Sequence, residues 1–262
     1  MSDEKNFELK LLGTGTSTGV PTISCTCATC VSTDPKDKRL RCSALITYKN
    51  KNIIIDTGPD FRQQYLKYGI NGLDAVVYTH HHFDHIGGFD DIRGINFTSK
   101  KALPIYLNTE TLENLSRIFS YAFRDYNETG NGIPMVDVNI ITEGEIEISG
   151  IKITILPLLH GSLKVLGFRI GNIAYCTDTN HIPENTLKLM KGLDVLILDG
   201  LRPKVHKTHF NLDQAIEQAR IIDSKQTYLT HIAHQVMHSE IEQKLPNGIN
   251  LAYDGLTIKG RI

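Results

Sequence analysis

The stretch "THHHFDH", residues 79–85, holds four of the eleven histidines of the chain and directly follows an apolar segment, residues 75–78. On an extended segment, residues two positions apart point the same way, so His80 and His82 can share one cation. The chain then turns, and Asp84 and His85 can face a second cation nearby. Imidazole and carboxylate groups together suit Zn²⁺, Mn²⁺ or iron. The spacing therefore predicts a site for two metal ions.

Two metal ions in one site have a definite chemistry. Cations about 3.5–4 Å apart can hold a bridging hydroxide as the nucleophile and clamp the oxygens of a phosphoryl group. The simpler interpretation of the motif is a histidine-rich surface turn, or core histidines satisfied by hydrogen bonds. That simpler interpretation would suffice if the motif held only one or two histidines. The H-x-H-x-D-H spacing directly after a strand instead favours metal ligation.

Several other apolar strands of the sequence end in a histidine or an aspartate. These strand ends are Asp56 in "NIIID", His160 in "LPLLH", Asp178 in "AYCTD", Asp199 in "LILD" and His231 in "YLTH". Sites are commonly built at the ends of rigid strands. We therefore expect such ends to converge on one shared site.

Strands with interspersed helices predict an α/β fold. Helical patterns occupy residues 91–97, 109–123, 183–192 and 211–223, and residues 125–144 are predicted to be a loop with a short strand. There is no internal repeat and no linker-like segment. A chain of 262 residues with 40% hydrophobic content is ample for one large core. We predict a single domain over residues 1–262.

Charge and cysteine content limit the partners and the compartment. The formal net charge is −1, so no basic excess points to nucleic acid as the main partner. No segment approaches the ~20 apolar residues that span a bilayer, and the N-terminus lacks the apolar run of a signal peptide. Five cysteines, an odd number, favour thiols or metal ligands over disulfides. We predict a cytoplasmic protein without a membrane partner.

Three of the five cysteines lie in "SCTCATC", residues 24–30, as Cys25, Cys27 and Cys30. A structural zinc ion takes four nitrogen or sulfur ligands in a tetrahedron. From the residues alone, the fourth ligand could be Cys42, Cys176 or any histidine. A redox or catalytic thiol cluster, or three cysteines without a ligand, are the alternatives.

The H-x-H-x-D-H motif with a distant His, Asp and His resembles the metallo-β-lactamase superfamily. The resemblance implies an αββα sandwich with two metals at one edge of the sheets, and Asp56 as a support of the ligand loop. It implies the following ligands: His80, His82 and His160 for one metal, Asp84, His85 and His231 for the other, and Asp178 bridging both. The β-lactamases use a cysteine in the second site. Here Asp84 and a bridging aspartate fill the second site instead, which is typical of the phosphodiesterase and nuclease branches and argues against β-lactam hydrolysis.

Within that superfamily the chain closely resembles the PhnP-type phosphoribosyl 1,2-cyclic phosphate phosphodiesterases over nearly its whole length. The motifs include "LGTGTSTGVPTISCTCATC", "THHHFDHIGG", "AYCTDT", "THFNLDQAI" and "LTHIAHQ". The resemblance implies that His234 completes a structural zinc site with the three cysteines. It also implies a homodimer. His209 matches a histidine that contacts the phosphate or protonates the leaving group.

These observations predict a phosphodiesterase that hydrolyses small cyclic phosphodiesters, of the phosphoribosyl 1,2-cyclic phosphate or 2′,3′-cyclic nucleotide type, with a metal-bound hydroxide. The expected cofactors are two divalent metals, Mn²⁺ or Zn²⁺, and one structural Zn²⁺. The expected catalytic residues are Asp178, His209 and Asp84, and the partner is a small-molecule substrate.

Two alternatives stay open. A nuclease of the tRNA 3′-processing type shares the ligands but carries a protruding arm for tRNA, and no basic or Gly/Pro-rich insert of that kind is visible. A non-catalytic metal-binding accessory protein of the quinone-cofactor biosynthesis type shares a similar cysteine cluster. Its metal set is often incomplete, whereas all seven candidate ligands are present here.

Other positions carry weaker predictions. The stretch "GTGTSTG", residues 13–19, lacks the lysine and spacing of a P-loop, and we expect a tight loop near the site that offers backbone N–H groups. Arg39 and Arg41 are equally compatible with orienting a phosphate and with simple solvation. His206 is a weaker candidate than His209, and His238 is predicted to lie at the surface.

Overall fold

The fold is built on two large β-sheets. The computed structural model of the protein describes residues 6–123 and 132–262. Over that part of the chain, fourteen strands form two seven-stranded sheets. The strands are β1 (Asn6–Gly13), β2 (Ser43–Tyr48), β3 (Lys51–Ile55), β4 (Ala75–Val77), β5 (Leu103–Leu107), β6 (Val136–Ile140), β7 (Gly144–Ile148), β8 (Ile151–His160), β9 (Leu163–Ile170), β10 (Ile173–Cys176), β11 (Val195–Asp199), β12 (Gln226–Thr230), β13 (Ile249–Leu251) and β14 (Thr257–Arg261).

Each sheet is half antiparallel and half parallel. The first has the order β14-β1-β2-β3-β4-β5-β6, and the second has the order β13-β12-β11-β10-β9-β8-β7. Strands β3 to β6 run parallel to one another, as do β10 to β13. Strand β8 runs in the same direction as β10, because both are antiparallel to β9. The first sheet is formed by the first six strands, and β14 alone crosses back to it.

Helices cover the outer face of each sheet. The α-helices of the described residues are α1 (Ala28–Val31), α2 (Phe61–Lys67), α3 (Phe83–Ile86), α4 (Ile92–Ser99), α5 (Thr109–Ile118), α6 (Glu184–Leu189), α7 (Leu212–Ile222) and α8 (His238–Glu242). Short 3₁₀ helices are Pro35–Asp37, Phe89–Asp91 and Ser120–Phe123. No helix among these has the length and apolar character that crossing a membrane requires.

The alternation of side chains along the strands produces three apolar layers. In β3, Ile53 and Ile55 pack between the two sheets, whereas Ile54 packs toward the helices outside the first sheet. A third cluster joins the outside of the second sheet to α7 through Leu212 and Ala215. The architecture is the αββα sandwich, which confirms the fold predicted from the sequence.

The strand directions place the candidate site. Strands β3, β4, β8, β10, β11 and β12 all present their carboxyl ends at one edge of the sandwich, and the chemically active residues follow those ends. Of the residues predicted to form a loop with a short strand, 125–131 lie outside the described part. The short strand is confirmed as β6.

Candidate metal centre

Three histidines from two strand ends meet at the edge of the sandwich. The candidate ligand atoms of His80, His82 and His160 all lie within 4.8 Å of one another. The Nε2 atom of His80 is 3.0 Å from the Nδ1 atom of His82. His80 and His82 follow β4, and His160 is the last residue of β8. This group could hold one metal ion.

A second group of side chains lies beside the first. The candidate ligand atoms of Asp84, His85, Asp178 and His231 also lie within 4.8 Å of one another. His85 Nε2 is 3.2 Å from Asp178 Oδ1, and His231 Nε2 is 3.1 Å from Asp178 Oδ2. Although both Nε2 atoms are buried, neither makes a hydrogen bond to any described residue. Buried nitrogens that face carboxylates without bonding to them fit a shared cation.

Asp178 lies between the two groups. Its Oδ2 atom is 3.9 Å from His80 Nε2, in addition to its short distances to the second group. It follows β10 with a φ of 50°, and Asp56 and His231 follow their strands with φ values of 63° and 59°. Non-glycine residues rarely adopt this left-handed backbone, and it is concentrated at functional sites. All three turns direct a polar side chain inward at a strand end.

A layer of hydrogen bonds orients the imidazoles. His85 Nδ1 donates to Asp56 Oδ2 at 2.7 Å, and His160 Nδ1 donates to the carbonyl oxygen of Thr208 at 2.7 Å. His80 Nδ1 is 3.0 Å from Thr79 Oγ1, which donates in turn to Asp56. In each case Nε2 is left to face the centre, as in known metal sites. Asp56 belongs to neither ligand group, in agreement with its predicted supporting role.

The ionisation of these groups also suits divalent cations. Burial lowers the pKa values of His80, His82 and His160 below that of ordinary histidine, so all three are neutral at neutral pH. Neutral imidazole is the form that binds metal. Burial opposes the charge of Asp84, but His85 and His231 outweigh it and hold the pKa of Asp84 below its usual range. A neutral nitrogen set therefore lies next to a set that carries carboxylate charge.

His209 lies beside the metal centre and is held by Asp199, a strand end expected at the site but without a predicted ligand or catalytic role. Its Nδ1 atom donates to Asp199 Oδ2 at 2.6 Å, and the same oxygen accepts the backbone N–H of Thr179. Asp199 is fully buried at the end of β11. The signal for Asp199 was its place at the end of an apolar strand. Asn211 caps α7 through a capping box with Gln214, which fixes the chain just after His209.

The cysteine cluster meets its fourth partner across the fold. The Nδ1 atom of His234 lies 3.2, 3.5 and 3.6 Å from the sulfur atoms of Cys25, Cys27 and Cys30. The backbone N–H of Cys30 and neighbouring groups lower the pKa of Cys27 to about 6, whereas burial raises that of Cys30. Three thiols at these distances can all lose their protons only if a cation offsets the negative charge of the thiolates. The sulfur and nitrogen set fits tetrahedral zinc.

The other two cysteines lie elsewhere. Cys42 is buried 3.5 Å from Thr230 Oγ1, and Cys176 is buried in the core outside the second sheet. No disulfide is formed by any of the five cysteines, all of which are among the described residues.

The glycine-rich loop and its neighbours line a cavity of about 290 Å³ beside His209. The loop contributes Thr16, Ser17 and Thr18 to the lining. The backbone N–H groups of Gly15, Thr16 and Gly19 are bonded to carbonyl groups of the protein, so the expectation of free N–H groups is not met at those residues. All three of these lining residues carry a hydroxyl group.

Two further expectations are corrected by the structure. Arg39 is not solvated, because it is buried and its guanidinium is bonded to Thr14 Oγ1 and to His238 Nδ1. His238 is thus buried, not at the surface. Arg41 is paired with Asp60 at 3.0 Å. A larger cavity of about 650 Å³ outside the first sheet is lined by none of the candidate metal ligands.

Comparison with known proteins agrees with this geometry. A family model described as a beta-lactamase superfamily domain matches residues 51–232. A solved diphosphatase from the PhnP family is 42% identical with a TM-score of 0.92, and 98% of each chain is covered. The octanoyltransferase of Porphyromonas gingivalis is 38% identical over 94% of this chain, which spans 50% of that protein's length. A ribonuclease Z of Methanopyrus kandleri is 23% identical over 87% of this chain and 94% of its own.

The superfamily match covers more than half of the chain, and the similarity to the diphosphatase extends over nearly all of it. The same residues that carry the sequence motif come together at the sheet edge as two sets of potential metal ligands. The chain therefore belongs to the PhnP family of the beta-lactamase superfamily and is a metal-dependent hydrolase.

Proposed function

We propose that the protein is a dinuclear-metal phosphodiesterase that hydrolyses small cyclic phosphodiesters. One observation carries the proposal: two sets of ligand atoms meet with Asp178 between them, so that seven side chains face one space. When bound, two divalent cations, Mn²⁺ or Zn²⁺, would make water nucleophilic at neutral pH and neutralise charge on a phosphoryl group. Cyclic phosphodiesters with five-membered rings suit such a site, because ring strain makes their hydrolysis easy without extensive substrate contacts.

Each ligand group has a role in holding the cations. The three neutral histidines would hold one cation, and Asp84, His85 and His231 would hold the other, with Asp178 shared. Asp84 is 11% exposed and Asp178 is 2% exposed. Asp84 is thus the ligand carboxylate nearer to solvent, and it would accept a hydrogen bond from the attacking water. Removing Asp56 would leave the buried N–H and O–H donors of His85 and Thr79 without an acceptor, at a cost of about 1–3 kcal/mol each.

The pair of His209 and Asp199 supplies the proton for the leaving oxygen. Asp199 fixes the tautomer in which Nδ1 of His209 carries a proton, and it stabilises the imidazolium when Nε2 is also protonated. His209 would donate from Nε2 to the departing oxygen. Asp199 acts through His209 and is a positioning residue.

A diphosphate ester is the second candidate substrate, because the 42% identical relative is a diphosphatase. Hydrolysis of a diphosphate uses the same water and the same neutralisation of phosphoryl charge, with phosphate as the leaving group. The similarity to ribonuclease Z is more distant, at 23% identity. A net charge of −1 gives the chain no general attraction for RNA.

A substrate panel on metal-assayed protein tests the proposal. It contains ribose 1,2-cyclic phosphate, a 2′,3′-cyclic nucleotide, a linear aryl phosphodiester, an alkyl diphosphate and a precursor tRNA. We expect the highest kcat/KM on a cyclic ester. Highest activity on the diphosphate would establish the second candidate, and highest activity on the tRNA would establish a nuclease. Protein that retains its metals and hydrolyses none of the five would refute all three.

Replacement of His209 by glutamine tests the proton donor. We expect kcat/KM to fall on the order of 10²-fold for esters with an alkoxide leaving group. A nitrophenyl ester should lose much less, because its leaving group departs without a proton. Asp199→Asn should show the same selectivity, and His181→Gln, a surface histidine outside both ligand groups, serves as the control. Equal losses of kcat/KM on both kinds of ester would show that His209 is not the proton donor.

Several features of the protein belong to the same proposal. Cys25, Cys27, Cys30 and His234 would hold a structural zinc ion that ties the N-terminal loop to the loop carrying His231. That the protein acts in the reducing cytoplasm and that it assembles as a homodimer are also predictions.

A further inference from the structure

The two oxygen atoms of the Asp178 carboxylate have different surroundings. Oδ2 is 3.1 Å from His231 Nε2 in the second ligand group and 3.9 Å from His80 Nε2 in the first. Oδ1 is 3.2 Å from His85 Nε2, and it also accepts a hydrogen bond of 2.6 Å from the hydroxyl group of Thr177. Oδ2 is therefore the oxygen that lies toward both ligand groups, whereas Oδ1 is held by a neighbouring side chain.

The hydroxyl group of Thr177 lies in the interior, where an apolar side chain would be the ordinary choice. Thr177 directly follows the apolar strand β10, and its exposed fraction is 0%. Taking a hydroxyl group out of water costs about 1–3 kcal/mol unless it is hydrogen-bonded. Among the described residues its one hydrogen-bond partner is the Asp178 carboxylate, so a bond to a candidate metal ligand is what offsets that cost.

The bond from Thr177 is short and restricts one torsion angle of Asp178. Its length of 2.6 Å is typical of a hydroxyl group that donates to an ionised carboxylate, which is among the stronger hydrogen bonds in proteins. The second side-chain torsion angle of aspartate is intrinsically broad, so a carboxylate without such a bond turns easily. Because Oδ1 is held, the carboxylate stays turned so that Oδ2 lies toward both ligand groups.

We propose that Thr177 is a positioning residue of the dinuclear site, which fixes the orientation of the carboxylate that both cations would share. The inference rests on the two-cation site of the proposed function and is independent of the identity of the substrate. Residues that orient a metal ligand typically contribute about 10–100-fold to metal affinity or to activity. Thr177 acts through Asp178 in the same way, and its hydroxyl group rather than its shape carries the effect.

Two replacements of Thr177 separate the hydroxyl group from the shape of the side chain. Valine has nearly the shape of threonine but no hydroxyl group, whereas serine keeps the hydroxyl group. Zinc-loaded protein is titrated with a chelator, and the zinc that it retains is measured. We expect Thr177→Val to release its active-site zinc at a free zinc concentration about 10–100-fold higher than the wild type does. Thr177→Ser should release its zinc close to the wild-type concentration.

Thr186→Val is the matched control for the valine variant. Thr186 is also buried, but its hydroxyl group donates to the backbone carbonyl oxygen of Pro157, and it belongs to neither ligand group. The same chemical change there should lower stability and leave zinc affinity unchanged. Equal losses of zinc affinity in the two valine variants would overturn the proposal. Wild-type affinity in Thr177→Val, or a serine variant as weak as the valine variant, would also overturn it.

Steady-state kinetics at saturating zinc provide a second readout. We expect kcat of Thr177→Val on the best substrate to fall about 10–100-fold with little change in KM, because the residue orients a metal ligand and does not bind the substrate. A higher KM with an unchanged kcat would assign Thr177 to substrate binding and contradict the proposal. If the wild type hydrolyses no cyclic ester or diphosphate but the difference in zinc affinity is found, the proposed function fails and the role of Thr177 stands.

Discussion

Replacing Asp178 by asparagine is expected to lower kcat/KM on cyclic phosphodiesters by about 10³-fold or more, beyond the 10–100-fold loss typical of residues that only orient a metal ligand. Asp178 is the carboxylate closest to both ligand groups, with 3.1 Å to His231 Nε2 and 3.9 Å to His80 Nε2. Asparagine keeps the shape but loses the charge that two cations would share. It also tolerates the φ of 50° at this position, where alanine would add backbone strain of about 1 kcal/mol.

The control for Asp178→Asn is Asp223→Asn. Asp223 has a similar φ of 57° but lies exposed at the end of α7, away from the ligand groups. We expect wild-type activity and metal content from this control. Steady-state kinetics, metal analysis and thermal melting on both variants separate loss of chemistry from loss of fold. Activity near the wild-type level in a folded Asp178→Asn protein would refute the dinuclear mechanism.

Replacement of Cys27 by alanine is expected to remove about one equivalent of zinc and to lower the thermal midpoint by about 10 °C. Structural zinc contributes its binding free energy to folding, so loss of one of four ligands weakens both. The sulfur of Cys27 lies 3.5 Å from His234 Nδ1, in a cluster that joins residues 207 positions apart. Metal analysis and a thermal melt, with and without added zinc, measure the two effects.

Cys176→Ala is the matched control for the zinc prediction. Cys176 is buried in the core outside the second sheet and belongs to no ligand group. Its replacement should lower stability through lost packing but leave the zinc content unchanged. If Cys27→Ala also keeps its full metal content, the cluster is not a zinc site.

Local sequence pattern was sufficient to predict an α/β fold and the strands that end in a histidine or aspartate, whereas the αββα sandwich followed from the resemblance to the metallo-β-lactamase superfamily. Each such strand is a short apolar run followed directly by its polar residue, so one segment contains both signals. Helices α5 and α7 could also be predicted from the sequence, because each has a polar capping residue followed by apolar residues at helical spacing.

Features that depend on distant partners were not predictable in the same way. Strand β14 is a short segment whose partner is β1, at the other end of the chain. Arg39 and His238 are polar residues that look solvated in sequence, but they are buried because they bond to each other across 199 positions. Asp199 was visible as a strand end, yet its role depends on the distance to His209, which no spacing rule gives.

The division of the chain between the two sheets has a consequence for assembly. His80, His82, Asp84 and His85 come from the first sheet, and His160, Asp178 and His231 come from the second. Neither half of the chain can complete either ligand set alone, so metal ions would cross-link the two halves. A chain divided between Ile140 and Gly144 into two polypeptides should therefore bind its metals only when both fragments associate. Metal uptake would then report the reassembly of the domain from its parts.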